Sequence, residues 1–464
     1  MSRTVAGVRL LVRAFSWLAA GILAIVVVWY AANRLLDPPL HAAARALDAA
    51  QDRIPDDRNA AVGVLGLTAP SGADFMAYGA KVKALYVANA PHDQIVKLLQ
   101  GPRTLQPTVE SGQVTCWLDP DWPLALEGCL PFGKAAEVLE ANRELLARLR
   151  RTYALGAYAR TDAYFNQAYL TLIKLSIADM QLDLRQGAHE TAYRKWREQF
   201  GFVRASVGST DNWLGRAVGL VAMGMTLPVL ENLVHADPGI AKRHAAELYE
   251  LVRPDGIAAF SPEGIVRGEY ALLAHILSHL KEEKKSSPDH RLHWLVERLG
   301  HKNRILNRYA RFAPEYVRAM LLPYKNLKGE YDQLREKYHE PEAWDLAIDP
   351  IGSVFSAVHI DSQLKIRAMV QQMHYLDGRL RLTTLALRQM NENVRDAEMT
   401  RFLADAGPGL GDPFSGQPMQ WDPKDRKIYM VDPDERCLVM AWFRLPASRG
   451  APRPSPSPVS TNAC

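Results

Sequence analysis

His275 and His279 stand four residues apart in the run Ala-Leu-Leu-Ala-His-Ile-Leu-Ser-His-Leu. On a helix that spacing puts both imidazoles on one face. With a carboxylate beside them they would supply the three protein ligands of a catalytic zinc site. Glu269, six residues before His275, is the candidate third ligand. The zinc-hydrolase signature also places a Glu directly after the first His, and here Ile276 occupies that position. Two histidines on an otherwise apolar helix more often serve as hydrogen-bonded boundary residues, so no metal and no cofactor is assigned. His290 and His293, beside Asp289, carry a weaker version of the same signal.

The most distinctive local pattern is Asp412-Pro413-Phe414-Ser415-Gly416. Pro413 fixes φ, and Gly416 can adopt a positive φ. The Asp412 carboxylate can accept from backbone two residues on, and Phe414 can pin the turn to a core. These roles account for the motif as a structural turn. A calcium or partner site using Asp412, Asp422 and Asp425 is the functional alternative. Asn303 and Asn307, four apart on one helix face, read as capping and interhelical hydrogen-bonding residues. The chain has no G-x-S-x-G elbow, no phosphate-binding glycine loop and no His-Glu-x-x-His sequence. No catalytic residue is assigned.

The elements that would carry these residues begin with an uncharged run, Ala14 to Ala32. Its nineteen residues, as a helix, span roughly 28 Å, close to the hydrocarbon thickness of a bilayer. Trp17, Trp29 and Tyr30 lie near its ends, where amphipathic rings favour the headgroup region. Trp29 and Tyr30 also disfavour a signal-peptidase site, which needs small residues. Arg3, Arg9 and Arg13 precede the run without an acidic residue among them. Arg34 and Arg45 follow it among Asp37, Asp48 and Asp52. The positive-inside rule then puts the N-terminus in the cytoplasm and the bulk of the chain outside it. Cys116 and Cys129, with twelve residues between them, fit a disulfide of an oxidising compartment. Cys437 and Cys464 have no evident partner in the sequence.

Of 464 residues, 48% are hydrophobic and 23% charged, with a formal net charge of +5. That excess is small for the length and forms no basic stripe, which argues against nucleic-acid binding. The densest basic cluster, Lys281 to Lys285, also holds Glu282 and Glu283 and reads as a solvated helix end.

Six regions follow: 1–13 cytoplasmic, 14–33 transmembrane, 34–133 membrane-proximal, 134–406 helical, 407–446 a small β element, and 447–464 a Pro/Ser-rich disordered tail. Within the helical region, apolar residues recur at three- and four-residue spacing. They predict helices over 135–153, 163–185, 188–206, 262–283, 290–306, 314–322 and 361–390. Gly187 is a candidate C-terminal cap. The apolar run Leu214 to Leu233 reads as a buried core helix, with a second membrane span as its rival. Lys427 to Val431 and Cys437 to Phe443 predict a β-hairpin around Asp432 to Arg436.

Four stretches carry a resemblance: Asn59 to Val82, Lys302 to Ala310 (Lys-Asn-Arg-Ile-Leu-Asn-Arg-Tyr-Ala), Asp349 to Phe355, and Asp412 to Val431. In combination and order they resemble a family of uncharacterised, membrane-anchored helical proteins of Gram-negative bacteria. The resemblance implies an inner-membrane location and no known activity. The Asp412 stretch is also similar to the C-terminal Asp-Pro-Phe-x-Gly motif of type II secretion pseudopilins, whose leader with its Glu has no counterpart here.

The expected fold is an all-α extracytoplasmic domain on a single N-terminal transmembrane helix, with a small C-terminal β-hairpin. The helices form tetratricopeptide-like hairpins or an irregular bundle. The expected function is a non-catalytic interaction or scaffold protein of the cell envelope, bound to the membrane through residues 14–33 and to an envelope protein. The rivals are a periplasmic metal-dependent hydrolase and a secretion-apparatus accessory.

Overall fold

The computed structural model describes residues 17–18, 20–24, 27, 38–48, 54–87, 92–118, 128–156, 168–210, 213–279, 301–339, 349–364, 367–431 and 442–446. The predicted tail, residues 1–13, most of 14–33, the Lys281 to Lys285 cluster, His290, His293, Cys437 and Cys464 lie outside them. The protein is mostly helical, with one small antiparallel sheet near its C-terminus. It forms two compact units, each assembled from separate stretches of chain. One comprises Met1–Ala49, Tyr270–Tyr316 and Tyr331–Lys365; the other comprises Ala50–Glu269, Val317–Glu330 and Ile366–Cys464.

The larger unit is organised by a helical hairpin, α1 (Ala168–Arg185) and α2 (His189–Ser209). Gly187 turns the chain at φ +76°, and the Ala188 amide donates to the Asp183 carbonyl at 2.9 Å. This is the glycine-capped helix end that satisfies orphan carbonyls. Inside the hairpin, Leu172, Ile173 and Ile177 are fully buried, and Trp196 stacks on Phe200 with centroids 5.0 Å apart. Each such side chain stabilises by roughly 1.5–3 kcal/mol through its burial.

Helix α3 (Trp213–Thr226) and the following Pro228–Ala236 helix pack against this hairpin. Together they are long and apolar enough to cross a membrane, and 56% of their most apolar window is buried. Thr226 is the point of attachment: its carbonyl accepts from Trp196 Nε1 at 3.0 Å, and its hydroxyl accepts from Gln199 Nε2 at 2.9 Å. Arg216 is fully buried on α3 and donates to the Thr210 and Ser261 carbonyls.

The Ala60–Gly66 and Phe75–Val87 helices touch backbone to backbone. A Cβ on Gly66 would lie 1.8 Å from the Phe75 carbonyl oxygen, and one on Gly79 would lie 2.0 Å from that of Val62. Any larger residue at either position forces them apart. Cys116 and Cys129 form a disulfide with Cα atoms 6.3 Å apart. Trp117, buried beside it, donates to the Leu130 carbonyl at 2.7 Å.

Further on lie α4 (Pro262–His279), α5 (Lys302–Met320), α6 (Tyr324–His339), α7 (Pro350–Leu364) and α8 (Arg367–Glu392). The smaller unit has an aromatic core. Phe312 stacks on Tyr316 at 5.0 Å and meets Tyr338 edge-on at 5.4 Å; Tyr316 donates its hydroxyl to the Gln363 carbonyl at 2.9 Å.

The structure departs from the predicted elements in identifiable places. The 135–153 helix is broken at Asn142, whose side chain donates to Thr108 Oγ1 and accepts from the Thr108 amide. α5 runs straight through Pro314, where the sequence predicts a new start. Phe312, Ala313 and Tyr316 are buried on both sides of that proline, and their packing outweighs the one backbone hydrogen bond a proline removes. The predicted 361–390 helix overlaps the end of α7 and most of α8; residues 365–366 between them lie outside the described residues.

The predicted hairpin is a three-stranded sheet: β1 (Gln420–Asp422), β2 (Lys427–Tyr429) and β3 (Trp442–Arg444), in that order. Trp421 pairs with Ile428, and Ile428 with Phe443. The β1–β2 turn uses Arg426 at φ +50° and the Asp422 carboxylate, which accepts from the Lys424 amide at 2.9 Å.

Candidate functional site

The suspected metal ligands lie on one helix, α4. Six residues at 3.6 per turn set Glu269 about 120° around the axis from His275. Burial agrees: Glu269 is buried and accepts from the Trp213 amide, while His275 is exposed. The His279 side chain is outside the described residues. Among the described residues no three His, Cys, Asp or Glu side chains are grouped to hold a metal ion.

The Asp412 turn spends its carboxylate internally. Oδ1 accepts from the Phe414 amide at 2.8 Å. Oδ2 accepts from the Ser415 hydroxyl at 2.9 Å and the Val431 amide at 3.2 Å. Gly416, at φ +72°, closes the turn by donating to the Asp412 carbonyl at 2.8 Å. Phe414 is buried against Tyr324, ring centroids 4.7 Å apart, and Pro413 packs beside Gly378 of α8. Asp425 is held by Lys427 at 2.5 Å, which lowers its pKa. The three aspartates are each engaged locally, and all these contacts serve the turn.

α8 carries a polar stripe at i, i+3 and i+7: His374 and Asp377, both buried, and Arg381, half-buried. Arg381 lies 2.6 Å from Asp377 and donates to the Gly411 carbonyl at 2.9 Å, which ties the glycine-rich loop to the helix. Burial pushes the Asp377 carboxyl up, with Arg381 opposing. Burial, helped by Arg381, pushes His374 down to about 4. The imidazole sits edge-on to Tyr324 at 5.5 Å. In the smaller unit His359 is pushed down to about 4 by burial, near Tyr309.

An open polar pocket belongs to the smaller unit. Its volume is about 170 Å³, and it is lined by Arg304, Arg308 and Arg311 of α5, by Asp349, Ser353 and Ser356 at the start of α7, and by Pro38 and His41. At i, i+4 and i+7 the three arginines form one stripe. Asn307 fastens the remaining wall: its Oδ1 accepts from the His41 amide at 2.7 Å, and its Nδ2 donates to the Pro39 carbonyl at 3.1 Å. Arg308 is buried and donates to the Tyr338 carbonyl at 2.9 Å. Asp349 is buried and accepts from the His301 amide at 3.1 Å. Three arginines and one carboxylate therefore line the pocket among the described residues, with Arg308 also engaged by the Tyr338 carbonyl. Such a pocket is suited to holding an oxyanion.

Reading Lys302 to Ala310 for Asn303 and Asn307 alone misses these arginines. The signal is present as arginine at helical spacing through Arg-Ile-Leu-Asn-Arg-Tyr-Ala-Arg. The contributions of residues 38–41 and 349–356 are visible only in the fold. Comparison of the chain with protein-family models, with curated proteins and with solved structures finds no match.

Proposed function

We propose that this chain is a single-pass membrane protein that holds a non-catalytic helical interaction domain at the outer face of the inner membrane. The observation that carries the reading is the N-terminal helical segment. Trp17, Leu18, Ile22, Leu23 and Val27 are between 56% and 79% exposed, in a run with no charge. Elsewhere large apolar side chains mostly lie in the core. A helix that presents apolar groups outward is stable in hydrocarbon and not in water. The Cys116–Cys129 disulfide supports an oxidising side for the domain.

An interaction role draws support from α7, where Val354 and Val358, one turn apart, are 53% and 64% exposed. Such a pair offers an apolar strip to a partner segment.

Two measurements test the reading. Alkaline carbonate extraction of membranes should leave the full chain in the pellet and release a variant lacking residues 14–33; release of the full chain removes the anchor. Purification in mild detergent with mass spectrometry should then recover a reproducible envelope protein. Its retention by the Val354→Asp/Val358→Asp variant would exclude this strip as the contact.

A further inference from the structure

We propose that the arginine pocket of α5 binds a phosphate group, presented by the headgroup of an anionic phospholipid. The lipid source rests on the membrane-anchor reading above; the phosphate chemistry does not.

Charge comes first. Arg304 and Arg311 alone outnumber the single described carboxylate, Asp349, which also accepts from the His301 amide; Arg308, which holds the Tyr338 carbonyl, is not counted. The described lining is therefore net positive. The Nε of Arg304 is shut off from solvent and has no hydrogen-bond partner among the described residues. A buried donor of this kind costs free energy until an acceptor arrives. Guanidinium groups match phosphate oxygens in pairs, at about twice the strength of neutral hydrogen bonds.

Shape and the helix α7 add to this. The pocket's volume of about 170 Å³ holds several waters or one phosphate. Ser353 and Ser356 stand in the first two turns of α7, a helix of 15 residues whose N-terminal end favours negative charge. A carboxylate could use the same donors, but a phosphate offers more acceptor oxygens to the guanidiniums of Arg304 and Arg311 and to the Ser353 hydroxyl; the Ser356 hydroxyl already donates to the Ser353 carbonyl at 3.0 Å.

Position selects the source. Pro38 and His41 form one wall, fastened by Asn307. Only Arg34, Leu35, Leu36 and Asp37 separate Asn33, where the expected span ends, from Pro38. Even a fully extended chain covers at most about 18 Å over that distance. If residues 14–33 span the bilayer, this wall stands within reach of the headgroup layer. The pocket then takes its ligand from the membrane surface.

The test uses the full chain in a nonionic detergent at constant ionic strength. The thermal midpoint is followed while short-chain phosphatidylglycerol, inorganic phosphate or short-chain phosphatidylcholine is added. A ligand of the folded state raises the midpoint saturably. The expected result is a rise with phosphatidylglycerol and little with phosphatidylcholine. In Arg304→Ala/Arg311→Ala, half-saturation should move up by about tenfold or more, with partial recovery in Arg304→Lys/Arg311→Lys. Arg308 is left intact because it also holds the Tyr338 carbonyl, and circular dichroism checks that each variant is folded. A response to inorganic phosphate alone, lost in the double variant, keeps the phosphate site and overturns the lipid source. No response to either anion, or one indifferent to the arginines, overturns the site. Detergent solution needs no insertion, so these outcomes are separate from failure of the anchor in carbonate extraction.

Discussion

α5 and α8 each carry basic side chains along one helix face, and they use them in opposite ways. On α8, Arg381 is matched by Asp377 at 2.6 Å and by the Gly411 carbonyl at 2.9 Å. Each member of that pair has the other as its counter-charge, although Arg381 Nε, like Arg304 Nε, has no hydrogen-bond partner among the described residues, and the cluster is roofed by Tyr324 and Phe414. On α5, three arginines line an open pocket with one carboxylate among the described residues. The spacing is almost the same: i, i+3, i+7 against i, i+4, i+7. What separates a structural polar cluster from a binding site is therefore the balance of charge and closure, and spacing alone does not reveal it.

The strongest challenge to this contrast is to unbalance α8. Asp377→Ala leaves Arg381 in a mostly buried site without its carboxylate. Loss of one partner of a buried pair costs about 3–5 kcal/mol, so the denaturation midpoint should fall steeply. A shift no larger than that of a surface substitution would mean that Asp377 and Arg381 are not a working pair.

Next in size is the pH response of His374. Its folded pKa, about 4, lies below the ordinary value of 6.5, so the unfolded chain binds the proton more readily. Stability from this group is complete above pH ~6.5 and is lost as pH falls from there toward ~4, accumulating to about 3 kcal/mol. Asp377, raised by burial, works against this at the acid end, because its folded form takes a proton before the unfolded chain does. Comparing His374→Gln with the wild type isolates the imidazole. The variant should show a shallower loss across that window, and parallel curves would remove His374 as the source.

The loop that Arg381 grips gives a smaller effect. Asp412→Ala strands the Phe414 and Val431 amides, which its carboxylate now satisfies. Unmet buried donors cost about 1–3 kcal/mol. Asp412→Asn, which keeps one acceptor oxygen, should lose less. Equal losses would show that the charge matters more than the acceptor geometry.

These regions also differ in how legible they are. The Asp412 turn could be read from its residues, because Asp, Pro and Gly act on their own backbone within five positions. The long amphipathic helices could be read from apolar spacing for the same local reason. β1 could not: three residues, Gln420 to Asp422, carry no alternation, and they become a strand only by pairing with Lys427–Tyr429. The break at Asn142 depends on Thr108, 34 residues away. The arginine pocket depends on residues 38–41 and 349–356 meeting α5, separations that no periodicity encodes. The His275 and His279 pair shows the converse error. Their spacing is real, yet Glu269 points about 120° away on the same helix.

The smallest expected effect completes the contrast from the α5 side. Arg304→Ala removes a guanidinium with a shielded Nε that has no hydrogen-bond partner among the described residues. Its loss relieves crowding of like charge with Arg308 and Arg311. Substitutions of this kind shift stability by about 0.5 kcal/mol or less, and the sign here is expected to be neutral or stabilising in the absence of an anion. The same variant should lose most of the stabilisation that an anion confers. A residue kept at no gain to the fold, and needed only when a ligand is present, is what a binding role requires. A fall in stability as large as that of Asp377→Ala would instead make Arg304 a structural residue, and the two helices would no longer differ in kind.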